Sequence, residues 1–176
     1  MNVDGNAPET LGAVFARLAR TFPENPALRT PDGQGVTFYW LITRINALNA
    51  AMRARGLCPG DRVAILAKNS IAYVEIFGLT KSGFVVVPLN WRLSEGALVD
   101  LLRASRPKTI FADDTFLDTA RSLVETLGAG IEVISLSRSH PNAVPYTSLI
   151  QSIDVGEPDH IAHPNDPLCI LFTSGT

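Results

Sequence analysis

The amino-acid sequence predicts an α/β protein built around a parallel, doubly wound sheet. Apolar strand candidates and amphipathic helix candidates alternate four times between residues 62 and 136, a pattern typical of parallel strands joined by helical crossovers. The strand candidates are continuous apolar runs, as expected when both faces of a sheet are covered. With 46% hydrophobic and 18% charged residues in 176, the chain has the composition of a folded domain with a sizeable core.

The first sixty residues predict two helices separated by a hairpin. Thr10 is a suitable N-cap for a helix whose apolar side chains share one face. These side chains are Leu11, Val14, Phe15, Leu18 and Phe22. Strand candidates at 27–30 and 36–38 flank a turn containing Pro, Asp and Gly. A second helix then carries apolar residues at helical spacing from 41 to 52 and stops at Gly56.

The region 62–136 is predicted as the core of strand–helix repeats. Its strands are predicted at 62–66, 85–87, 109–112 and 131–136. Its helices are predicted at 70–82, from Ser94 onward, and at 116–127. Residues 137–167 contain several prolines and all three histidines, which indicates an irregular connection with one short helix near 147–153. A last apolar run at 168–172 is predicted as a further strand.

The net charge and the N-terminal residues argue against several classes of protein. The net charge of −2 gives no basic excess for nucleic acid or an anionic membrane surface. The N-terminal residues lack the layout of a secretory signal, and the longest apolar run, 84–89, is far too short to span a bilayer. Cys58 and Cys169 are therefore expected to be free thiols in a cytoplasmic protein.

The residues at the end of the sequence form the clearest candidate binding site. An apolar run leads directly into Thr173, Ser174, Gly175 and Thr176. Glycine permits close approach of the backbone to a ligand, hydroxyls donate hydrogen bonds, and consecutive N–H groups form an anion nest. The four residues thus suit phosphate oxygens at the carboxyl end of a strand. Taken alone, they are explained at least as well by an ordinary strand-to-turn exit.

The segment 170–176 resembles the first half of the signature of AMP-binding, adenylate-forming enzymes. Three earlier segments resemble the same family in the same order, namely 59–66, 81–90 and 166–168. The resemblance runs from about Thr10 to Thr176. It implies that residues 1–176 are the N-terminal part of the AMP-binding domain, incomplete and ending inside the phosphate loop. It also implies that residues 173–176 hold the phosphates of ATP.

The run Leu89-Asn90-Trp91-Arg92-Leu93-Ser94 favours one branch of that family. It resembles acyl-CoA synthetases for fatty or aryl acids and lacks the Asp-Pro pair typical of amino-acid adenylation domains. In some CoA ligases an arginine matching Arg92 contacts a CoA phosphate, for which a planar guanidinium is well suited. Two other interpretations remain open: Arg92 pairs with a carboxylate such as Glu95, or it is simply solvated.

The resemblance implies an ATP-dependent acid–thiol ligase that uses Mg²⁺ and CoA. Such an enzyme joins a carboxylic acid to AMP and transfers the acyl group to the thiol of CoA. No catalytic residue and no metal ligand is assigned within this chain, and the 176-residue chain alone is predicted to be inactive. Two alternatives stay open: an amino-acid adenylation domain or acyl-carrier-protein ligase of the same family, and a stand-alone α/β binding module.

Three further groups of polar residues suggest function less strongly than structure. His160 and His163 could form half a metal site, but no third ligand accompanies them and they lie in the proline-rich connection. The pair at 113–114 is expected to begin a helix rather than act as two catalytic carboxylates. The run 68–70 follows a strand and could contact a ligand, but Asn69 or Ser70 is rather expected to start the next helix.

Overall fold

The computed structural model describes residues 9–128, 130–136, 140–151, 156–158 and 161–173. Its N-terminal part contains helix α1 (Leu11–Thr21), strands β1 (Pro26–Arg29) and β2 (Gly35–Thr37), and helix α2 (Phe38–Ala54). The two strands pair antiparallel, which confirms the predicted hairpin. The hydroxyl of Thr10 accepts a hydrogen bond from the N–H of Ala13, which confirms the predicted N-cap of α1.

The central sheet has five strands in the order β4-β3-β5-β6-β7, and every neighbouring pair is parallel. The strands are β3 (Arg62–Leu66), β4 (Val85–Pro88), β5 (Thr109–Ala112), β6 (Glu132–Ser135) and β7 (Val144–Pro145). The helices after them are α3 (Ile71–Phe77), α4 (Glu95–Ser105), α5 (Leu117–Leu127) and α6 (Tyr146–Leu149). A 3₁₀ turn at Gly78–Ser82 completes the stretch predicted as one helix at 70–82.

Strand β3 shows why the sheet is covered on both faces. Val63 and Ile65 pack into a core that contains residues of α2 and the 3₁₀ turn, among them Met52 and Leu79. Ala64 and Leu66, which alternate with them along the strand, pack into a second core formed with α4 and α5. Because successive side chains of a strand point to opposite faces, one apolar run supplies both cores. The predicted parallel, doubly wound architecture is confirmed.

The chain crosses over β3 when it passes from β4 to β5, so the strand order reverses direction at β3. In open α/β sheets, the crevice at the carboxyl end of the strands near such a reversal is the usual place for a ligand. The helices that follow β3, β4 and β5 begin at this same edge, and α3 and α4 are capped there by Ser70 and Ser94. Both caps agree with the sequence prediction.

Two segments differ from the sequence prediction. The apolar run 168–172 does not form a strand, because only Cys169 pairs with Val86 in an isolated parallel bridge. Continuing that ladder would require an N–H from residue 88, and Pro88 has none. The second difference is β7, a two-residue strand within the stretch predicted as irregular, which pairs with β6. The short helix α6 follows it and begins one residue earlier than predicted.

No helix in the described ranges has the length and hydropathy needed to cross a membrane.

The two cysteines lie in the described part of the chain and carry free thiols. Cys58 is exposed and Cys169 is partly buried. The described segments 140–151, 156–158 and 161–173 contact the body through the pairing of β7 with β6, through Tyr146 and Lys81, and through the bridge at Cys169.

Candidate functional site

A cleft of about 470 Å³ lies at the carboxyl end of strands β3 and β4. One wall is formed by residues that follow β3, Ala67 and Asn69, together with Tyr73 of α3. A second wall is formed by 88–91, from the last residue of β4 onward. The remaining wall includes the last described residues, 171–173. The cleft has the size of a small-molecule site and lies where the sheet topology predicts one.

Thr173 lines this cleft and is exposed to solvent. It is the first of the four residues that the sequence assigned to phosphate binding. The other three, Ser174, Gly175 and Thr176, lie outside the described residues. The structure therefore places the entrance of the predicted phosphate loop at the cleft, and the role of the four residues stays a prediction.

The helix starts around the cleft favour a negatively charged ligand. Helices α3, α4 and α5 all begin after strands that end at this edge. The N-terminus of a helix carries a partial positive charge and N–H groups without intrahelical partners. Part of this donor capacity is already used, because Ser70 and Ser94 cap α3 and α4.

Trp91 is fixed at the rim of the cleft by an aromatic stack. Its ring lies against that of Phe116, with the ring centroids 5.6 Å apart. The backbone before and after it is ordered by Asn90, whose side-chain oxygen accepts a hydrogen bond from the N–H of Arg92. Trp91 thus packs on its own subdomain, and its ring also lines the cleft.

Arg92 is exposed and stacks on Trp91, with its guanidinium carbon 4.2 Å from the ring centroid. The expected alternative, an ion pair with Glu95, is not formed among the described residues. Glu95 instead accepts a hydrogen bond from the hydroxyl of Ser122. Arg92 thus lies beside the cleft and forms no ion pair with a carboxylate among the described residues. Its contact with a CoA phosphate stays a prediction.

Lys68 is a cation at this rim and begins the run 68–70, which the sequence offered as a possible ligand contact. Its ammonium nitrogen lies 5.8 Å from the centroid of Trp91. Its backbone N–H donates to a carboxylate oxygen of Asp113, and the other oxygen accepts the N–H of Thr115. The signal was present in the order of the elements: Lys68 follows β3 and Trp91 follows β4, and these neighbouring parallel strands end at one edge.

The polar residues that the sequence set aside have structural roles where they are described. Asp113 orders the turn before α5, as expected, rather than forming a catalytic pair. The N–H of His163 donates to Asp166, and the ring of His163 accepts from Asn165 within the same turn. His160 lies outside the described residues. Within the described residues, no group of three or more His, Cys, Asp or Glu side chains could hold a metal ion.

Tyr73 is the titratable side chain of the cleft whose properties the fold alters. Burial raises the pKa of its phenol above the ordinary value. Its ring stacks on Phe77 with the centroids 5.7 Å apart. The phenol is therefore uncharged at neutral pH, and it gives this wall an aromatic surface with one hydrogen-bonding group.

The family model described as AMP-binding enzyme matches residues 15–176. A fatty acid–[acyl-carrier-protein] ligase, ScoC of Streptomyces coeruleorubidus, is 34% identical over 174 residues. That match covers 96% of this chain and 31% of the relative. A feruloyl-CoA synthase of an Amycolatopsis species is 33% identical over 169 residues, covering 94% of this chain and 31% of the relative.

The solved structures agree in fold. The apo structure of MbtA from Mycobacterium smegmatis superimposes with a TM-score of 0.83 at 21% identity. The match covers 97% of this chain and 32% of that chain. The chain thus spans about a third of the length of the relatives that it matches.

Proposed function

The chain belongs to the family of AMP-binding enzymes, and on this premise we propose that it is part of an ATP-dependent acid–thiol ligase. The proposed enzyme activates a carboxylic acid, of fatty or aryl type, as an acyl-AMP with release of pyrophosphate from ATP. It then transfers the acyl group to the thiol of CoA with release of AMP. The observation that carries the proposal is the cleft at the carboxyl end of β3 and β4, with Thr173 on its wall.

The proposed ATP site uses the segment that begins at Thr173. Its hydroxyl, together with those of Ser174 and Thr176 and the backbone at Gly175, would donate hydrogen bonds to the β- and γ-phosphates. Such donors position the phosphates and offset their charge, and they need no proton transfer of their own. The residues at the cleft suit the phosphates of ATP, because hydroxyl and amide side chains line it near the N-termini of helices.

Mg²⁺ would accompany the ATP and neutralise charge between the two anionic reactants. We assign no catalytic residue and no metal ligand to this chain. The proposed location is the cytoplasm, which suits two free thiols. A carboxylic acid, ATP and CoA are the proposed small-molecule partners, and Arg92 is the residue proposed to contact a phosphate of CoA.

A second candidate differs only in the acceptor of the acyl group. One relative is named as a ligase that loads an acyl-carrier protein, and its 34% identity is no lower than that of the feruloyl-CoA synthase. In this alternative, the acceptor thiol belongs to a phosphopantetheine arm attached to a protein. The acid, the ATP site and the acyl-AMP intermediate would be the same.

The proposal is tested by ATP–pyrophosphate exchange on the product of the whole gene, read beyond Thr176. A panel of fatty and aryl acids supplies the first substrate, and thioester formation with CoA is measured separately. We expect acid-dependent exchange, reduced at least about tenfold when Thr173 is replaced by Val, since a lost charge-assisted hydrogen bond has this effect. An absence of exchange with every acid would refute the ligase assignment.

The same assay on the 176-residue chain is expected to give no exchange. That chain holds the proposed phosphate contacts but no assigned catalytic group. Exchange by the purified 176-residue chain would show that a catalytic group within it was missed. A catalytically dead variant of the whole gene product controls for contaminating host enzymes.

A further inference from the structure

We propose that a second pocket, at the edge of the sheet opposite the cleft, binds a monocarboxylate with a short apolar chain. This amino-edge pocket has a volume of about 350 Å³ and is lined by Leu102, Arg103, Arg106, Pro107, Leu127 and Ile131. It lies where α4 and α5 end and where β5 and β6 begin. The cleft lies instead at the carboxyl ends of β3 and β4. The pocket is therefore a separate site, and the inference does not depend on the proposed ligase activity.

The lining of the amino-edge pocket has an apolar part and a cationic part. Leu102, Leu127 and Ile131 belong to the core that α4 and α5 form with the sheet, and the last two are only half-buried. Arg103 and Arg106 are exposed. No acidic side chain is among the described residues that line the pocket. A cavity with these two parts suits an organic anion whose charge lies at one end.

The guanidinium of Arg106 is available to a ligand. Within the described part of the chain it takes part in no ion pair. Arg103 pairs with Asp100 at 3.3 Å, but the two side chains are 60% and 75% exposed. Exposed pairs of this kind contribute little free energy. A ligand can therefore take the place of Asp100 at small cost.

The backbone at Arg106 is held in a conformation that residues with a Cβ rarely adopt. Its φ of 46° is the only positive φ at a non-glycine residue in the described ranges. Arg62 maintains this turn, because its guanidinium donates to the carbonyls of Ser105 and Arg106, both at 2.8 Å. Such a conformation persists only where its surroundings hold it. The side chain of Arg106 is thus placed at the pocket before a ligand binds, which lowers the entropic cost of binding.

The ends of α4 and α5 would by themselves disfavour an anion, since the C-terminus of a helix carries a partial negative charge. At α4 the charge of Arg62 offsets this effect, because its donors reach two carbonyls at the end of that helix. At α5 the N–H of Gly128 donates to two carbonyls of the last turn. The charge of Arg106 is therefore left for a ligand.

The two parts of the lining favour a monocarboxylate over other ligands. A planar guanidinium binds a carboxylate through two parallel hydrogen bonds. An alkyl chain or an aromatic ring gains free energy when it leaves water for the surface of Leu127 and Ile131. An uncharged lipid would leave Arg106 unpaired, and a polyphosphate would leave the apolar surface uncovered. A bound acid lies across the sheet from the cleft and takes no part in the proposed reaction.

The test uses the product of the whole gene and a derivative of octanoate that carries a diazirine on its alkyl chain. Irradiation followed by peptide mass spectrometry locates the bound chain. We expect labelling within residues 102–107 or 127–131, in addition to any labelling of the acid site of the ligase. Octanoate should compete for this labelling. Octanol should compete at least about tenfold less well, because it has no charge to pair with a guanidinium.

Matched variants assign the labelling to the cationic part of the pocket. Arg106→Met should reduce it about tenfold, and Arg106→Lys should retain part of it, because lysine keeps the charge but not the two-point contact. Arg103→Met should have a smaller effect, since Asp100 already offsets part of that charge. Arg29→Met is the control, because Arg29 is an exposed arginine of β1 and does not line the pocket. It should leave the labelling unchanged.

Labelling that avoids both segments, equal competition by octanol and octanoate, or unchanged labelling of Arg106→Met would each overturn the inference. Thermal unfolding without ligand checks that Arg106→Met is folded. If that variant is unstable, the comparison of octanol with octanoate decides, since it needs no substitution. Loss of acid-dependent ATP–pyrophosphate exchange with the labelling intact would refute the ligase proposal alone. Exchange without labelling of the pocket would refute this inference alone.

Discussion

The guanidinium of Arg44 holds the fully buried carboxylate of Glu75 at two points, with nitrogen–oxygen distances of 2.5 and 3.2 Å. The hydroxyl of Tyr146 donates to the same carboxylate. The three side chains come from α2, α3 and α6, so one buried charge links a helix of the N-terminal part, a helix of the sheet and the helix after β7. Burial and the nearby negative charge of Glu75 raise the pKa of Tyr146 well above its ordinary value, so the phenol remains a donor.

Replacing Glu75 by Gln is expected to lower the free energy of unfolding by about 2–4 kcal/mol, because it leaves Arg44 without its counter-charge in a partly buried place. Urea denaturation of the 176-residue chain measures the change. The control is Glu9→Gln, which breaks the exposed pair with Arg17 and should have no measurable effect. If both variants lost the same free energy of unfolding, the burial of Glu75 would not be the reason why its ion pair stabilises the protein.

Gly78 is required because helix α2 passes too close for a side chain. A Cβ atom at this position would lie 2.4 Å from Cγ1 of Ile45, which is itself fully buried. Gly78→Ala is therefore expected to destabilise the protein by about 1–3 kcal/mol through overpacking. Gly96→Ala is the matched control, since nothing lies within 4 Å of that position in α4. It should be neutral or stabilise by up to about 1 kcal/mol. Thermal unfolding of both variants measures the two changes in stability, and a similar change in both would contradict the prediction.

Asp61 links the stability of the protein to pH. Burial alone would raise its pKa, but the N–H of Cys58 and the ammonium of Lys108 lower it below the ordinary value. A lowered folded-state pKa stabilises the protein above the unfolded value of about 3.9, and this contribution is lost as pH falls through the folded-state pKa. Asp61→Asn should therefore be less stable at pH 7 and lose less stability in acid. Urea unfolding from pH 7 to about pH 3 tests this, and parallel curves would contradict it.

Local signals in the sequence predicted much of this fold because they depend on neighbours in the chain. Thr10, Ser70 and Ser94 each cap a helix through an N–H three residues ahead, and such a bond can be read from sequence spacing alone. Gly83 ends the 3₁₀ turn with a positive φ of 76°, as its position after an apolar helix suggests. The parallel sheet followed from the alternation of elements rather than from any single residue.

The features that the sequence did not predict depend on contacts between distant residues. The segment 168–172 is apolar enough for a strand, but the hydrogen bond that would extend its bridge beyond Cys169 needs an N–H that Pro88 lacks. Lys68 and Trp91 are brought together by the pairing of β3 with β4, and their separation in sequence hides this. The sequence motif predicted a ligand site at Thr173. It did not predict that the residues after β3 and the segment 88–91 form the other walls of the cleft.

Lys81 anchors part of the connection to the body of the protein. Its side chain is almost fully buried, its ammonium donates to Oδ1 of Asn46 at 2.8 Å, and it also pairs with Glu157. Its carbonyl accepts the N–H of Ala162. Lys81→Met is expected to cost about 1–3 kcal/mol, because the buried oxygen of Asn46 loses its donor. Urea denaturation gives the loss, and faster cleavage near Glu157 in limited proteolysis would accompany it.

The partners of Lys81 are expected to contribute unequally. Glu157 is half exposed and regains water when its partner is removed, so Glu157→Gln should have little effect on the free energy of unfolding. Adding Asn46→Leu to Lys81→Met removes the unpaired oxygen and should restore part of the loss, which makes the two substitutions non-additive. If Glu157→Gln were as costly as Lys81→Met, the ion pair rather than the buried amide contact would be the interaction that stabilises this region.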